Sequence, residues 1–352
     1  MLRRRFEEVL AAPPSWLWPV LVPLASLYAG GLALHRGLYR IGILKSHNLP
    51  RPVVSVGNLT AGGGGKTPIV MWLAETLAMK GVRPAILSRG YGREGDGIRI
   101  VDPDGPWRIY GDEPSMMAGR LGEIPVVVSV NRRLAGLDLL QHRDVDLFIL
   151  DDGFQHHALK RDLDIVAIDN HRRFGTGRLL PAGILREPVK RLQDADIVVV
   201  TKVVIPDPNF EKELTRLKDV PVVWFDFRPA GLVPLDPSTE TTETDASSGS
   251  ALAFCGIAHP DGFRQSLKRA GIEVAGFITF PDHHTYSVED ISRIKAAARE
   301  AGVGRLVTTE KDAVRWPDHD PEIPVYFLSM ETIPLQGEEK IMRILQELVL
   351  NG

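Results

Sequence analysis

The sequence predicts an α/β chain: a P-loop-type parallel-sheet domain, a second, smaller α/β domain, and an N-terminal apolar, membrane-associated helix ahead of both. Three observations predict it. Between Pro52 and Gly81 a β-branched run, four glycines closed by Lys-Thr and a helix-periodic segment follow one another. Beyond them, short apolar runs alternate with helical patterns, as parallel α/β sheets require. Ahead of them, a long uncharged run is flanked by basic residues. The expected divisions are 1–45 for the membrane-associated segment, 46–230 for the P-loop domain, 231–250 for a linker and 251–352 for the second domain.

The uncharged run extends from Trp16 to Leu34, after Arg3, Arg4 and Arg5 and before His35, Arg36, Arg40 and Lys45. As a helix it spans roughly 28 Å, close to the roughly 30 Å of a bilayer core. Pro19 and Pro23 are expected to interrupt its first half, and Gly30 with Gly31 to weaken its second. Glu7 and Glu8 argue against a signal peptide. An interfacial anchor, with Trp16, Trp18 and Tyr28 at headgroup depth, fits these residues. The competing reading is a helix buried in the protein's own core.

Val53–Val56 reads as a buried parallel strand. Gly62, Gly63, Gly64 and Gly65 then lead into Lys66 and Thr67, and Val70, Leu73, Ala74, Leu77 and Ala78 mark one helix face. Pro68 suits a first helical turn and Gly81 a left-handed C-cap. Strand, glycine loop, Lys-Thr and helix form a phosphate-binding loop, in which backbone amides close on a polyphosphate, Lys66 reaches the β/γ-phosphates and Thr67 holds Mg²⁺. Thr60 stands where the general pattern has its first glycine.

Further strands are expected at Ala85–Leu87, Val126–Val128, Leu147–Leu150, Ile165–Ile168, Ile197–Val200 and Val222–Phe225. Gly92 to Tyr110 reads as a β-hairpin turning at Asp102-Pro103-Asp104-Gly105. Asp236 to Ser250 is polar and acidic, a linker or an exposed loop. After it come strands near Ala251–Phe254, Glu273–Phe280, Arg305–Thr308 and Val325–Leu328, with helical patterns near Asp261–Ala270, Val288–Ala301 and Glu338–Leu350. A cleft between two α/β domains is the expected active site.

Asp151 and Asp152 close an apolar strand, where P-loop enzymes place a carboxylate of the Mg²⁺ shell; a turn or helix cap is the alternative. Gln155, His156 and His157 follow, to contact nucleotide or to pack. Asp112 and Glu113 open a helical stretch, either as first-turn carboxylates or as a base for an attacking hydroxyl. His283 and His284 end a strand of the second domain without a third metal ligand at fixed spacing. Arg89, Arg93, Arg132, Arg133 and Arg186 suit phosphate or surface ion pairs. With 352 residues and a net charge of −3, the chain has room for two cores and no global call for nucleic acid. Its one cysteine, Cys255, cannot form an intramolecular disulfide and reads as a small apolar strand residue.

In order, GNLTAGGGGKTP, LSRGYGR, GDEP, DDGFQH, PAGILREP, PDHHTY and TTEKDAVR resemble the tetraacyldisaccharide 4′-kinase family over nearly the whole chain. The resemblance implies a pair of α/β/α domains, ATP and Mg²⁺ as cofactors, and phosphorylation of a lipid disaccharide at the cytoplasmic face of the bacterial inner membrane, among its phospholipids. It implies a nucleotide loop from Thr60 and Ala61 through Gly65 to Lys66 and Thr67, and Asp151 and Asp152 on Mg²⁺ with Gln155 beside them. It also implies Asp112 as base on the sugar 4′-hydroxyl, helped by His283 or His284, with no obligate protein partner. The rival class is a membrane-associated partitioning ATPase; its deviant P-loop overlays on AGGGGKT, but its signature lysine falls on Ala61.

Overall fold

The computed structural model describes residues 14–236, 249–317 and 323–351. Arg3, Arg4, Arg5, Glu7, Glu8 and most of the expected linker lie outside them. The described chain divides into two compact units, one running to Asp226 and resuming at Thr332, the other formed by Phe227–Glu331.

In the larger unit the sheet order is β8-β7-β6-β1-β5-β2-β4-β3. Its strands are β1 (Val53–Asn58), β2 (Pro84–Ser88), β3 (Arg99–Ile100), β4 (Val126–Val128), β5 (Leu147–Asp151), β6 (Leu163–Asp169), β7 (Ile197–Thr201) and the first part, to Asp226, of β8 (Val222–Pro234). β1 pairs in parallel with β5 on one side and β6 on the other, and every one of its residues is buried. Burial on both faces is why it reads as a continuous apolar run and not as an alternation. The helix after it, Lys66–Met79, starts at Gly65, whose φ of +74° is left-handed, and stops before Gly81 at +79°. It buries more than the expected stripe, because Ile69, Met71 and Trp72 are covered as well. Trp72 meets Phe225 edge-on at 4.7 Å.

The N-terminal helix α1 (Trp18–Arg40) is continuous for 23 residues, through Pro23 and the Gly30-Gly31 pair. This corrects the expected break. Pro19 falls in the first turn, where its missing N–H costs nothing, and Pro23 forfeits one bond to that same turn. None of its residues is buried, which removes the core-helix reading. Leu21, Ala25, Tyr28, Ala29, Leu32, Arg36 and Tyr39 form a half-covered face at helical spacing, while Val20, Val22, Leu24, Leu27 and Leu34 stand exposed. By length and composition α1 is long enough to cross a membrane.

The hairpin expected over 92–110 is not formed. β3 pairs antiparallel with β4, Ile100 opposite Val127, and Trp107–Tyr110 is a helical turn. Asp102 does make the turn, accepting the amides of Asp104 and Gly105. The chain then folds back over it: a Cβ on Gly105 would meet the buried Tyr110 ring at 2.8 Å.

The smaller unit is also parallel, in the order β10-β9-β11-β12. Here β9 is Ala251–Cys255, β10 Val274–Thr279, β11 Leu306–Thr309, and β12 starts at Val325 and runs on to Gln336. Successive β9 residues serve two cores: Leu252 and Phe254 pack with Ile294 and Trp316, Ala251, Ala253 and Cys255 with Phe263 and Leu267. The last helix, Glu338–Asn351, was expected in this domain but belongs to the larger unit. Gly337 brings the chain against β8, where a Cβ would lie 2.9 Å from the Val222 carbonyl, and Ile341 and Leu345 are buried beyond it.

Candidate active site

β1 delivers the chain to the phosphate loop at the carboxyl edge of the sheet, the side on which open α/β sheets bind ligands. The loop is tied down on both flanks. Ala61 donates its N–H to the Ile184 carbonyl at 2.7 Å, and Thr60 bridges Leu185, so the PAGILREP stretch forms one wall. On the other flank, the Gly64 carbonyl accepts from Thr201 Oγ1 at 3.2 Å and the Gly63 carbonyl from Lys202 Nζ at 3.1 Å. Arg172 Nη1 reaches the Ala61 carbonyl at 3.4 Å. The Ala61 and Gly64 amides are engaged as well, by the Ile184 and Gly62 carbonyls, so an anion would meet the remaining amides of the loop. Gly62 and Gly65 are left-handed, and a Cβ on Gly64 would strike Asn58 Nδ2 at 2.7 Å, so the cradle has the tightness of a phosphate loop.

Lys66 and Thr67 occupy the first helical turn above this cradle. Lys66 Nζ donates to Asn58 Oδ1 at 3.2 Å and lies 3.5 Å from Asp152 Oδ1. Arg186 Nη1 contacts the same two partners, Asn58 Oδ1 at 3.4 Å and Asp152 Oδ2 at 3.1 Å.

The two aspartates sit in different environments. Asp151 is buried at the end of β5 and accepts from Ser88 Oγ at 3.1 Å. Burial, then Glu113 and Asp152, push its carboxyl up to about 6. Asp152 takes a left-handed φ of +51°. Burial works against its charge, but Lys66 and Arg186 outweigh that and hold it below the usual carboxylate range. One carboxylate is thus poised near neutrality and its neighbour firmly ionised.

Gln155 donates to the Asn58 carbonyl at 2.8 Å, while its Oε1 is buried with no partner among the described residues. The same is true of Arg132 Nε, whose Nη2 donates to the Asp151 carbonyl at 3.3 Å. Such orphans beside the loop fit a site built for a polar ligand. His156 and His157 are each driven down to about 4, first by burial and then by neighbouring arginines, and are neutral at pH 7. His157 packs against the Tyr39 ring at 5.7 Å. Among the described residues no cluster of three or more His, Cys, Asp or Glu side chains could hold a metal. Mg²⁺ at a phosphate site needs no such cluster, since one or two carboxylates, substrate phosphates and water complete its shell.

Gly111, at φ +96°, turns the chain into the helix Asp112–Leu121. Asp112 is buried, and its Oδ1 accepts the Glu113 amide at 2.9 Å. Through Glu113, which helps to raise Asp151, this helix start belongs to the same electrostatic cluster.

The smaller unit separates the two histidines chemically. His284 Nε2 lies 2.8 Å from Asp290 Oδ2, and its ring stacks on Phe280 at 4.6 Å. His283 takes a left-handed φ of +59° and places Nε2 3.4 Å from Lys311 Nζ and 3.5 Å from Asp282 Oδ2. The loop beneath rests on Asp312, buried and accepting from Gly256 N, Tyr286 Oη, Thr309 Oγ1 and Arg315 Nη2. Gly256 returns its carbonyl to the His283 amide at 3.1 Å. Burial pushes the neighbouring Cys255 thiol up to about 12, so it stays protonated, as a packing residue does.

Asn58 and Ser88 stand within the motifs GNLTAGGGGKTP and LSRGYGR but were given no role of their own, and Arg172, Thr201 and Lys202 reach the site from outside every motif named above.

The family model described as tetraacyldisaccharide-1-P 4′-kinase matches residues 17–349. A protein named tetraacyldisaccharide 4′-kinase from Shewanella sediminis is 41% identical over 299 residues, covering 85% of this chain and 82% of its own. One of the same name from Syntrophus aciditrophicus is 36% identical over 368 residues, covering 99% and 98%. A crystal structure described as the "apo" form of LpxK from Aquifex aeolicus in complex with ATP superposes with a TM-score of 0.77 at 34% identity, covering 93% of this chain and 98% of that one. The family-model match over residues 17–349, together with relatives at 36% and 41% identity, places this chain in the tetraacyldisaccharide-1-P 4′-kinase family.

Proposed function

We propose that this protein transfers the γ-phosphoryl group of ATP to the 4′-hydroxyl of a tetraacyldisaccharide 1-phosphate lipid, forming lipid IVA at the cytoplasmic face of the inner membrane. The observation that carries the reading is the convergence of Lys66, Asp152 and Arg186 over the phosphate loop, with Asp151 beside them. Phosphoryl transfer asks little covalent chemistry of a protein and depends on positioning and charge. Lys66 meets the charge that develops on the transferred group, and Arg186 keeps Asp152 aligned with it. Thr67, Asp151 and Asp152 would hold Mg²⁺, which would supply neutralising charge to the phosphates.

Asp112 accepts the proton of the attacking hydroxyl. Of the two histidines of the 282–284 motif, His283 is the better suited to a catalytic role, because the His284 ring is already engaged by Asp290 and Phe280. The exposed apolar residues of α1 support a membrane location, where an acylated substrate resides. Incubating the full-length protein with γ-labelled ATP and the lipid disaccharide in mixed micelles tests the proposal. Label in the lipid is the expected result; ATP hydrolysis with unlabelled lipid would overturn it and favour a partner-driven ATPase.

A further inference from the structure

Glu187 is a buried carboxylate that the phosphoryl chemistry above does not use. It is 2% exposed, and Arg36 of α1 meets it at 2.8 Å. Arg191 approaches only to 3.8 Å and is shared with Asp194. One residue earlier, the Arg186 carbonyl accepts the Tyr28 hydroxyl, also from α1, at 3.0 Å. The same two peptides face the phosphate loop: the Arg186 and Glu187 amides both donate to the Leu59 carbonyl, at 2.6 and 3.3 Å, directly before Thr60. The Arg186 side chain then bridges Asn58 and Asp152, the partners of Lys66.

We infer that α1 positions the nucleotide site as well as anchoring the chain: Tyr28 and the Arg36–Glu187 pair hold the 186–187 peptides against Leu59 and so set Arg186 between Asn58 and Asp152. The inference rests on the reading of the loop as a nucleotide site. Its physical basis is the cost of an unpaired buried charge. With Arg36 gone, Glu187 has only its distant contact to Arg191, and the 186–187 segment must shift toward a cation or water. A shift there moves Arg186, because backbone and guanidinium belong to one residue. Burial raises the Tyr28 pKa above its ordinary value, so the phenol stays protonated and keeps donating.

The test uses the full-length protein in phosphatidylethanolamine–phosphatidylglycerol vesicles, with equilibrium binding of a fluorescent ATP analogue and kcat and KM for ATP. Tyr28→Phe and Arg36→Gln should each weaken analogue binding by roughly 2- to 30-fold, the range of couplings carried through contact networks. Co-sedimentation with vesicles should stay at the wild-type level, and Arg36→Lys should recover most of the loss. Wild-type analogue affinity in both Tyr28→Phe and Arg36→Gln would overturn the inference and leave α1 an anchor. Should Arg36→Gln fail to fold, Tyr28→Phe decides alone, since it removes one hydroxyl and keeps the ring. Analogue binding does not require a lipid acceptor, so absence of lipid phosphorylation would sink the kinase reading while this comparison still stands.

Discussion

Lys66 Nζ and Asp152 Oδ1 lie 3.5 Å apart at the mouth of the phosphate loop, with their side chains 15% and 35% exposed. A pair so open to water stabilises the fold by about 1 kcal/mol or less. In the proposed reaction its value lies in aligning a cation with the place where phosphoryl charge develops. Lys66→Ala should therefore lower kcat by about 10²- to 10³-fold, the cost of removing one preorganised charge donor. Its melting temperature should stay within a few degrees of wild type. Thr67→Ala should lose turnover in the same direction and require more Mg²⁺ for half-maximal rate. Steady-state kinetics beside circular-dichroism melts check both; near-normal turnover in the two variants would remove the loop from the mechanism.

Asp151 carries a stability signature whose sign can be worked out. Its ordinary value is 3.8, and burial, with Glu113 and Asp152, raises it to about 6. The fold therefore prefers the protonated carboxyl: stability from this group is fully present below about pH 4 and is lost as pH rises through 6. A shift of about two units corresponds to about 3 kcal/mol. Asp151→Asn should thus be more stable than wild type at pH 8 by an amount of that order, with the advantage gone near pH 4. Turnover should fall in the same variant, the usual trade at a site residue. Urea unfolding with EDTA at pH 4, 6 and 8 measures it, and a difference that does not change with pH contradicts the assignment.

The strands of the larger unit were legible because burial on both faces forces β-branched runs such as Val53–Val56 and Leu147–Leu150. The positions of Lys66 and Thr67 at a helix start and of the aspartate pair at a strand end were legible because each sits at a fixed step from such a run. What escaped was set by topology. Lys202 and Thr201 reach the loop carbonyls because β7 lies two strands from β1, and no local pattern encodes strand order. The 92–110 segment was misread because Asp102-Pro103-Asp104-Gly105 makes the same turn whether a strand or a helix follows. Trp107–Tyr110 became helical where the buried Tyr110 ring closed over Gly105.

Leu27 and Leu34 stand 73% and 66% exposed, seven residues apart on α1, away from Tyr28 and Arg36. If this face meets lipid, each leucine gains roughly 1.5–3 kcal/mol on leaving water. The double variant Leu27→Asp, Leu34→Asp should lower partitioning into phosphatidylethanolamine–phosphatidylglycerol vesicles by at least about tenfold. Analogue affinity should be retained, because both side chains are mostly exposed and the bonds to the 186–187 segment come from Tyr28 and Arg36. Undiminished vesicle binding would mean that another surface makes the contact.

The two histidines make the sharpest comparison. His284 is held by Asp290 and stacked on Phe280, so His284→Ala should act through stability, by about 1–2 kcal/mol for a lost charge-assisted bond and its ring contact. His283 projects from a left-handed backbone beside Lys311, and His283→Ala should act through turnover with a near-normal unfolding curve. Asp112→Asn keeps size and hydrogen bonding but removes basicity, so analogue binding should survive while kcat falls by roughly 10²- to 10⁴-fold. If Asp112 and His283 work on one proton, the double variant loses less than the product of the single losses. Strictly multiplicative losses would make them independent, and a catalytic loss confined to His284→Ala would transfer the role to that residue. Normal turnover in Asp112→Asn would move the base elsewhere, with Asp151, already raised to about 6, the next candidate.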